Sequence, residues 1–317
     1  MSDIKLFRIT KGQATELHGA ASDLEKPMQN LIEANLNTFL GIRFLASEYA
    51  TGKTHGGRID SLGLDENHCP VIIEYKRSVG ENVINQGLYY LDWLMDHQAE
   101  FKLLVLEKVG KAAADAIDWS APRLVCIAAD FTKYDGHAVQ QINRNIELIR
   151  YRRFDNELLL LELANASSAA LFKAGSPKAA KASKSAAAVA EVKPLGPDKS
   201  YAEVVASMPE ALIELLVSLE DYILSLGDDV QVKELRLYVA FKRLKNFVTL
   251  VPQQKRLVLY LHLDPAGVLQ KLPQAKDVSA KGHWGTGNVE FGIATQADLE
   301  AAKPFIAQAY EGLVSAQ

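Results

Sequence analysis

The sequence predicts an α/β domain in its N-terminal half, joined to a small α+β C-terminal domain, and three observations predict it. Short β-forming runs alternate with longer amphipathic stretches over the first half of the chain. Two of those runs, Arg58–Leu64 and Val71–Lys76, are joined by the polar turn Asp65-Glu66-Asn67, which reads as an antiparallel hairpin. The composition then breaks. Residues 173–200 are dominated by Ala, Lys, Ser and Pro, with no aromatic residue, six lysines against Glu191 and Asp198, and a local net charge of +4. Such a segment cannot bury enough apolar surface to offset its ordering entropy. The expected organisation is therefore a first domain over 1–166, a flexible linker over 167–199 and a second domain over 200–317.

Taken in order, the N-terminal half opens with strands at Lys5–Arg8 and Glu16–His18. A helix follows from Leu24 to Leu40, with Ser22 or Asp23 as N-cap and Pro27 in the first turn. A strand at Ile42–Tyr49 precedes the hairpin. Helices are expected at Asn82–His97 and Ala99–Val109, a buried strand at Arg123–Ala129, and a short helix at Tyr134–Asn143. Strands at Ile146–Arg152 and Leu158–Leu163 complete the domain. The C-terminal half reads as helices Ser200–Met208 and Glu210–Gly227, then strands Glu234–Phe241, Phe247–Pro252 and Arg256–Leu263. A short helix at Pro265–Leu272, a strand at Asn288–Ile293 and a helix from Gln296 to Gly312 follow. There is no internal repeat.

Several classes are set aside. The 317 residues are 48 % hydrophobic and 23 % charged, a globular balance, and the net charge of −4 argues against a generally basic nucleic-acid coat protein. Any nucleic-acid contact has to come from a local patch. Cys69 and Cys126 lie far apart in apolar, strand-like runs, which suits two buried thiols rather than a disulfide or zinc site. The N-terminal residues lack an apolar signal core and no stretch approaches eighteen apolar residues, so a soluble, cytoplasmic protein is expected. Gly52-Lys53-Thr54 resembles a phosphate-binding loop only in part, because Ser47 stands where that pattern needs glycine.

The chemistry lies in the hairpin. Strand side chains alternate, so Glu74 and Lys76 share one face while Ile73 and Tyr75 share the other. A hairpin spanning residues 58–76 brings Asp60 beside Glu74. Two hard oxygen ligands then converge with one ammonium group. Mg²⁺ or Mn²⁺ is held by such a set together with water and substrate phosphate. The metal polarises a phosphoryl oxygen, and the lysine orients water or steadies developing charge. The competing reading is an ordinary surface Glu–Lys pair. Against it stands the apolar run Val71-Ile72-Ile73, where an unpartnered charge is expensive to bury.

This arrangement resembles the PD-(D/E)XK nuclease superfamily. Asp60 matches its aspartate and Glu74-Tyr75-Lys76 its (D/E)XK, with Ile59 in place of the motif's proline. The resemblance implies a restriction-endonuclease-like mixed sheet flanked by helices. It also implies an acid on the preceding helix, where Glu33 fits and Glu25 is the alternative. Gln86 and Tyr90 match a Gln-x-x-x-Tyr pattern that touches the substrate backbone, and at i and i+4 they share a helical face. Within the superfamily the spacing is most similar to the catalytic domain of NucS-like endonucleases. The likeness covers about residues 20–130. It implies catalytic Glu33, Asp60, Glu74 and Lys76, with metal on Asp60, Glu74 and Glu33.

Arg58 shares a strand face with Asp60 and suits either a phosphate contact or a surface ion pair. Lys53, His55 and Arg77 suit the rim of a cleft or solvated loops. Glu48, on the strand before the hairpin, is a competing acid. In the C-terminal half, Lys242, Arg243 and Lys245 form a basic turn with Tyr238 and Phe241 nearby, a pattern that suits nucleic-acid contact or a soluble sheet edge. Gly282-His283-Trp284-Gly285-Thr286-Gly287-Asn288 is a second candidate surface. This module resembles an uncharacterised domain attached to such nucleases, which implies an accessory role.

The expectation is thus a Mg²⁺- or Mn²⁺-dependent nuclease acting on DNA, in repair or defence against foreign DNA, with RNA as a second candidate substrate. A homodimer would suit double-strand cutting. The rival is a catalytically silent nucleic-acid-binding or partner-docking protein that retains the fold.

Overall fold

The computed structural model describes residues 4–20, 25–52, 56–76, 83–155, 157–167, 199–281 and 283–312. The chain divides into two compact units. One is Met1–Ala169 with Lys242–Asn246, the other Ala170–Phe241 with Phe247–Gln317. The linker expected at 167–199 lies outside the described residues except at its two end positions, and so do the expected N-caps Ser22 and Asp23.

In the first unit, β1 (Leu6–Thr10) and β2 (Gln13–Leu17) form an antiparallel ribbon. Its main sheet contains β3 (Gly19–Ala20), β4 (Arg43–Ala50), β5 (Arg58–Leu64), β6 (Pro70–Lys76), β7 (Arg123–Ala128), β8 (Asn145–Phe154) and β9 (Leu158–Ser167). The order is β3-β8-β7-β6-β5-β4, with β9 also paired to β8. β4 pairs with β5 and β5 with β6 antiparallel, whereas β6, β7 and β8 are mutually parallel. The sheet is therefore mixed.

Helices cover both of its faces, and the sequence shows why. Parallel strands buried on both sides read as unbroken apolar runs, here Val71-Ile72-Ile73 and Leu124-Val125-Cys126-Ile127. On one face, α1 (Glu25–Ala34) and α2 (Leu36–Leu40) set Met28, Ile32, Leu36 and Leu40 against Val71, Ile73, Tyr75 and Val125. On the other lie α3 (Val83–Asp96), α4 (Gln98–Lys108), α5 (Lys111–Asp115) and α6 (Lys133–Gln141). There Leu91, Leu94, Phe101 and Val139 pack on Leu62, Ile72, Leu124 and Leu148.

The single helix expected over Leu24–Leu40 is two helices. Asn35 stands between them at φ −125°, and its side-chain amide donates to the Leu31 carbonyl at 3.0 Å. An asparagine offers the preceding turn a side-chain partner in place of the next backbone N–H, which favours a break. α5 was not expected.

Close approach explains one glycine. Gly87 sits on α3 where an added Cβ would overlap the Leu124 side chain of β7. Gly87→Ala is expected to lower stability by about 1–3 kcal/mol, the usual range for overpacking a filled core. Urea denaturation checks this, and an unchanged midpoint would show that Leu124 yields freely.

The second unit contains α7 (Tyr201–Ala206), α8 (Glu210–Leu224), β10 (Gln231–Glu234), all but the last residue of β11 (Val239–Lys242), all but the first of β12 (Asn246–Pro252), and β13 (Leu257–Leu261). It continues with α9 (Pro265–Leu269), β14 (Lys276–Asp277), β15 (Val289–Ile293) and α10 (Gln296–Glu311). Its sheet order is β10-β11-β12-β13-β15-β14. Leu215 and Leu219 of α8 and Leu299 and Ile306 of α10 bury one sheet face, made by Val248, Leu250, Leu259 and Phe291. The strand expected over Glu234–Phe241 is interrupted by a turn in which the Leu235 N–H donates to the Tyr238 carbonyl at 2.9 Å. In the glycine-rich loop, Trp284 is exposed and the His283 ring stacks on Tyr260 at 4.2 Å. Among the described residues, no helix is long and apolar enough to cross a membrane.

Candidate active site

Strand pairing of β5 with β6 builds the centre. Ser61 faces Ile73 in the register, so Asp60 and Glu74, one step further along each strand, stand opposite each other. The Asp60 N–H donates to Glu74 Oε1 at 3.3 Å, and the Tyr75 N–H donates to Asp60 Oδ2 at 3.0 Å.

Glu74 is fully buried, and its Oε2 has no hydrogen-bond partner among the described residues. Burial, reinforced by the Asp60 charge, pushes the Glu74 carboxyl up to about 9. Burial also raises Asp60, against the pull of the Tyr75 N–H and of Lys76. Two carboxylates sharing a dry site cannot both ionise without a cation. Lys76 is mostly buried, and its Nζ lies 3.7 Å from Glu25 Oε1 at the start of α1. A buried oxygen without a partner needs a proton or a positive charge. A hard divalent cation satisfies that need, since magnesium is held by one or two carboxylates with water and phosphate making up the rest. Among the described residues, no group of three or more His, Cys, Asp or Glu gathers to hold a metal. The acidic side chains brought together here are the Asp60–Glu74 pair.

Glu33 is placed differently from the expected metal ligand. Its Oε1 accepts from Ser61 Oγ at 2.6 Å and from Gln29 Nε2 at 2.9 Å. Ser61 Oγ and the Tyr75 hydroxyl are 3.2 Å apart. Ser61 and Tyr75 alternate with Asp60 and Glu74, so Glu33, a residue of α1, meets the opposite face of the hairpin. It connects to the centre through Gln29, whose amide also donates to the Asp60 carbonyl at 2.9 Å. Of the two helix acids, Glu25 is the one that approaches Lys76.

Tyr90 also differs from expectation. Tyr90 is buried, and its hydroxyl accepts from the Arg58 N–H at 3.1 Å and from Gln86 Nε2 at 3.4 Å. A Cβ added at Gly57 would press on this ring. Tyr90 thus anchors the start of β5, two residues before Asp60, and does not present itself to a substrate strand. The exposed ring on this helix is Tyr89.

Arg58 is exposed, and its Nε lies 2.7 Å from Glu48 Oε2. Lys26 Nζ donates to Glu48 Oε1, also at 2.7 Å. The Lys26 hydrogen bond, with the nearby Arg58 charge, holds the Glu48 carboxyl below its usual range. Glu48 was the competing acid on the strand before the hairpin. Its two cations were not legible, because Lys26 comes from another element.

Arg77, Lys53 and His55 lie outside the described residues. Lys242 is a correction to the expected basic surface: it is 3 % exposed, and its Nζ donates to Glu147 Oε1 and Oε2 at 2.9 and 3.0 Å. Glu147 also receives Arg123 at 2.8 Å, and Arg123 reaches Asp65 at 3.0 Å. Buried charges are tolerated when paired in this way. Lys242 is thus a structural cation, whereas Arg243 and Lys245 are exposed.

Comparison with known proteins adds three findings. Residues 201–312 match the family model described as Domain of unknown function (DUF5655). Two solved structures are similar over 41 % of this chain, and the chain spans about half the length of each. They are a repair endonuclease from Pyrococcus abyssi (19 % identity, 48 % of that chain, TM-score 0.27) and an EndoMS–dsDNA complex (18 % identity, 49 % of that chain, TM-score 0.23). An uncharacterized protein of Haemophilus influenzae is 33 % identical over 312 residues, which cover 96 % of this chain and 99 % of that protein. An identity of that size over nearly the whole of both chains assigns the protein described here to the family of the Haemophilus influenzae protein.

Proposed function

We propose that this protein is a divalent-metal-dependent nuclease that hydrolyses phosphodiester bonds in DNA. The observation that carries the reading is the buried Asp60–Glu74 pair, with Glu74 Oε2 unpartnered and Lys76 close by. Asp60 and Glu74 would hold Mg²⁺ or Mn²⁺. Bound there, the ion supplies Lewis acidity to the scissile phosphoryl group and lowers the pKa of attacking water.

The remaining roles belong to the chain. The Lys76 ammonium, whose charge is felt by both carboxyls, would steady negative charge as it develops on the phosphate. Glu25 holds Lys76 from α1. Glu33, through Gln29 and Ser61, fixes the backbone that carries Asp60 and is a positioning residue. Tyr90 does the same from α3. The second unit would act as an accessory domain that raises local concentration on the substrate.

Incubation of supercoiled plasmid with the purified full chain tests the reading. Mn²⁺ or Mg²⁺ is expected to support nicking or digestion, and EDTA to stop it. Calorimetric titration is expected to show Mn²⁺ binding that is lost in Asp60→Ala. Cleavage that survives EDTA, or no Mn²⁺ affinity even with DNA present, would overturn the reading; the latter would favour the non-cleaving alternative.

A further inference from the structure

Glu48 stands on β4 directly across from Asp60, because its neighbours pair Ser47 with Ser61 and Tyr49 with Ile59. Its backbone is left-handed, at φ 53°. That conformation is strained for a residue with a Cβ, and within a strand it persists only where the surroundings impose it. Its side chain is doubly gripped, by Lys26 on one carboxylate oxygen and Arg58 on the other, each at 2.7 Å.

Stability alone gives little reason for the strain. The side chains of Lys26 and Arg58 remain 51 % and 68 % exposed, and ion pairs that open to water contribute little to folding. Strain that brings little stability is a mark of function. The grip aligns two cations beside the carboxylate pair and leaves them donors to spare. Glu48 engages the Nε of Arg58, and the terminal amino groups have no partner among the described residues. Lys26 also donates to Gln29 Oε1 at 3.0 Å, and Gln29 in turn holds the Asp60 carbonyl. The two cations are thus coupled to the metal-binding strand by hydrogen bonds.

We propose that Lys26 and Arg58, set in place by Glu48, form a seat for a backbone phosphate next to the scissile one. The proposal rests on the nucleic-acid reading above and deepens it, adding Lys26 as a contact and Glu48 as a positioning residue. A phosphodiester suits this seat. The free fork of Arg58 can take two phosphate oxygens, and the Lys26 ammonium adds a compact charge. A carboxylate between two cations leaves one positive charge in excess, which matches one phosphate.

Fluorescence anisotropy with a labelled DNA duplex tests the seat, using the full chain, Ca²⁺ in place of Mg²⁺, and KCl from about 50 to about 200 mM. Lys26→Ala and Arg58→Ala are each expected to reduce the slope of log affinity against log salt by about 0.9, the signature of one lost phosphate contact. Lys26→Arg is expected to restore the slope. Lys102→Ala, which removes a cation paired with Asp115 on α5, is expected to leave it unchanged. Glu48→Gln is expected to weaken binding several-fold although it removes a negative charge, a result that bulk electrostatics would reverse. Unchanged slopes for Lys26→Ala and Arg58→Ala, an equal drop for Lys102→Ala, or tighter binding by Glu48→Gln would each overturn the seat alone. A parent chain that does not bind the duplex at all would overturn the nucleic-acid reading with it.

Discussion

Lys76→Ala is expected to slow Mn²⁺-dependent DNA cleavage by about 10²–10³-fold, the loss typical for removal of one preorganised charge from a site where negative charge develops. The expectation follows from placement. Lys76 ends β6 two residues after Glu74, on the same strand face, with its side chain 16 % exposed and its ammonium steered by Glu25. A charge held in a mostly dry setting acts more strongly than the same charge in water. The substitution leaves both carboxyl ligands in place, so Mn²⁺ binding is expected to persist while turnover falls. Single-turnover cleavage of plasmid, with calorimetry on the same preparations, separates the two effects. Equal cleavage by Lys76→Ala and parent would remove Lys76 from the chemistry. Loss of Mn²⁺ affinity in step with loss of rate would instead make it a structural prop for the pair.

Glu74→Gln is expected to stabilise the metal-free protein while abolishing its response to Mn²⁺. Burial and the Asp60 charge raise the Glu74 carboxyl to about 9 from a usual value near 4.5. The sign follows directly. Between those two values the folded chain holds a proton that the unfolded chain has released, so stability from this group is fully present below about 4.5 and is lost as pH rises towards 9. At pH 7 the penalty is on the order of 3 kcal/mol. A neutral amide of the same shape removes it, and an increase of about 2–3 kcal/mol is expected. Mn²⁺ acts in the opposite sense, because it needs the carboxylate and displaces the proton. Thermal melts of parent and Glu74→Gln from pH 5 to 9, with and without Mn²⁺, check all of this. The metal-free parent is expected to lose stability with rising pH, the variant to lose less, and only the parent to gain from Mn²⁺. A variant less stable than the metal-free parent at pH 7 would show that Glu74 is not the strained group described here.

The hairpin was the most legible part of the chain. Alternation along two strands with one polar turn suffices to set Asp60 opposite Glu74 and to carry Lys76 onto the same face, and that is the geometry found. The α/β architecture was legible for a related reason, since doubly buried parallel strands and the helices that cover them each leave a distinct apolar period. What was not legible depended on partners distant in sequence. Glu33 and Glu25 both lie on α1. Nothing local says that Glu33 meets Ser61 beneath the hairpin while Glu25 reaches Lys76. Tyr90 and Tyr89 are adjacent, and only packing decides that Tyr89 is exposed and Tyr90 turns inward to the Arg58 backbone. Lys242 looked like a surface lysine in a basic turn until Glu147, far away in the chain, was placed beside it. The helix break at Asn35 had a local cause but a weak one, a side-chain bond that competes with the backbone by a small margin.

The atoms that hold the centre in shape are largely peptide groups. The N–H of Tyr75 fixes Asp60, the N–H of Asp60 fixes Glu74, and the N–H of Arg58 is held by Tyr90. Every residue type except proline supplies such a hydrogen. Positions 58 and 75 can therefore exchange side chains over long divergence without disturbing where the two carboxyls sit. A substitution at Ile59 leaves all three donors untouched, because none of them is the N–H of residue 59. A framework of this kind is buffered against mutation. Across distant members of the family, strand pairing and the fourteen-residue interval from Asp60 to Glu74 should outlast the identity of the residues between them.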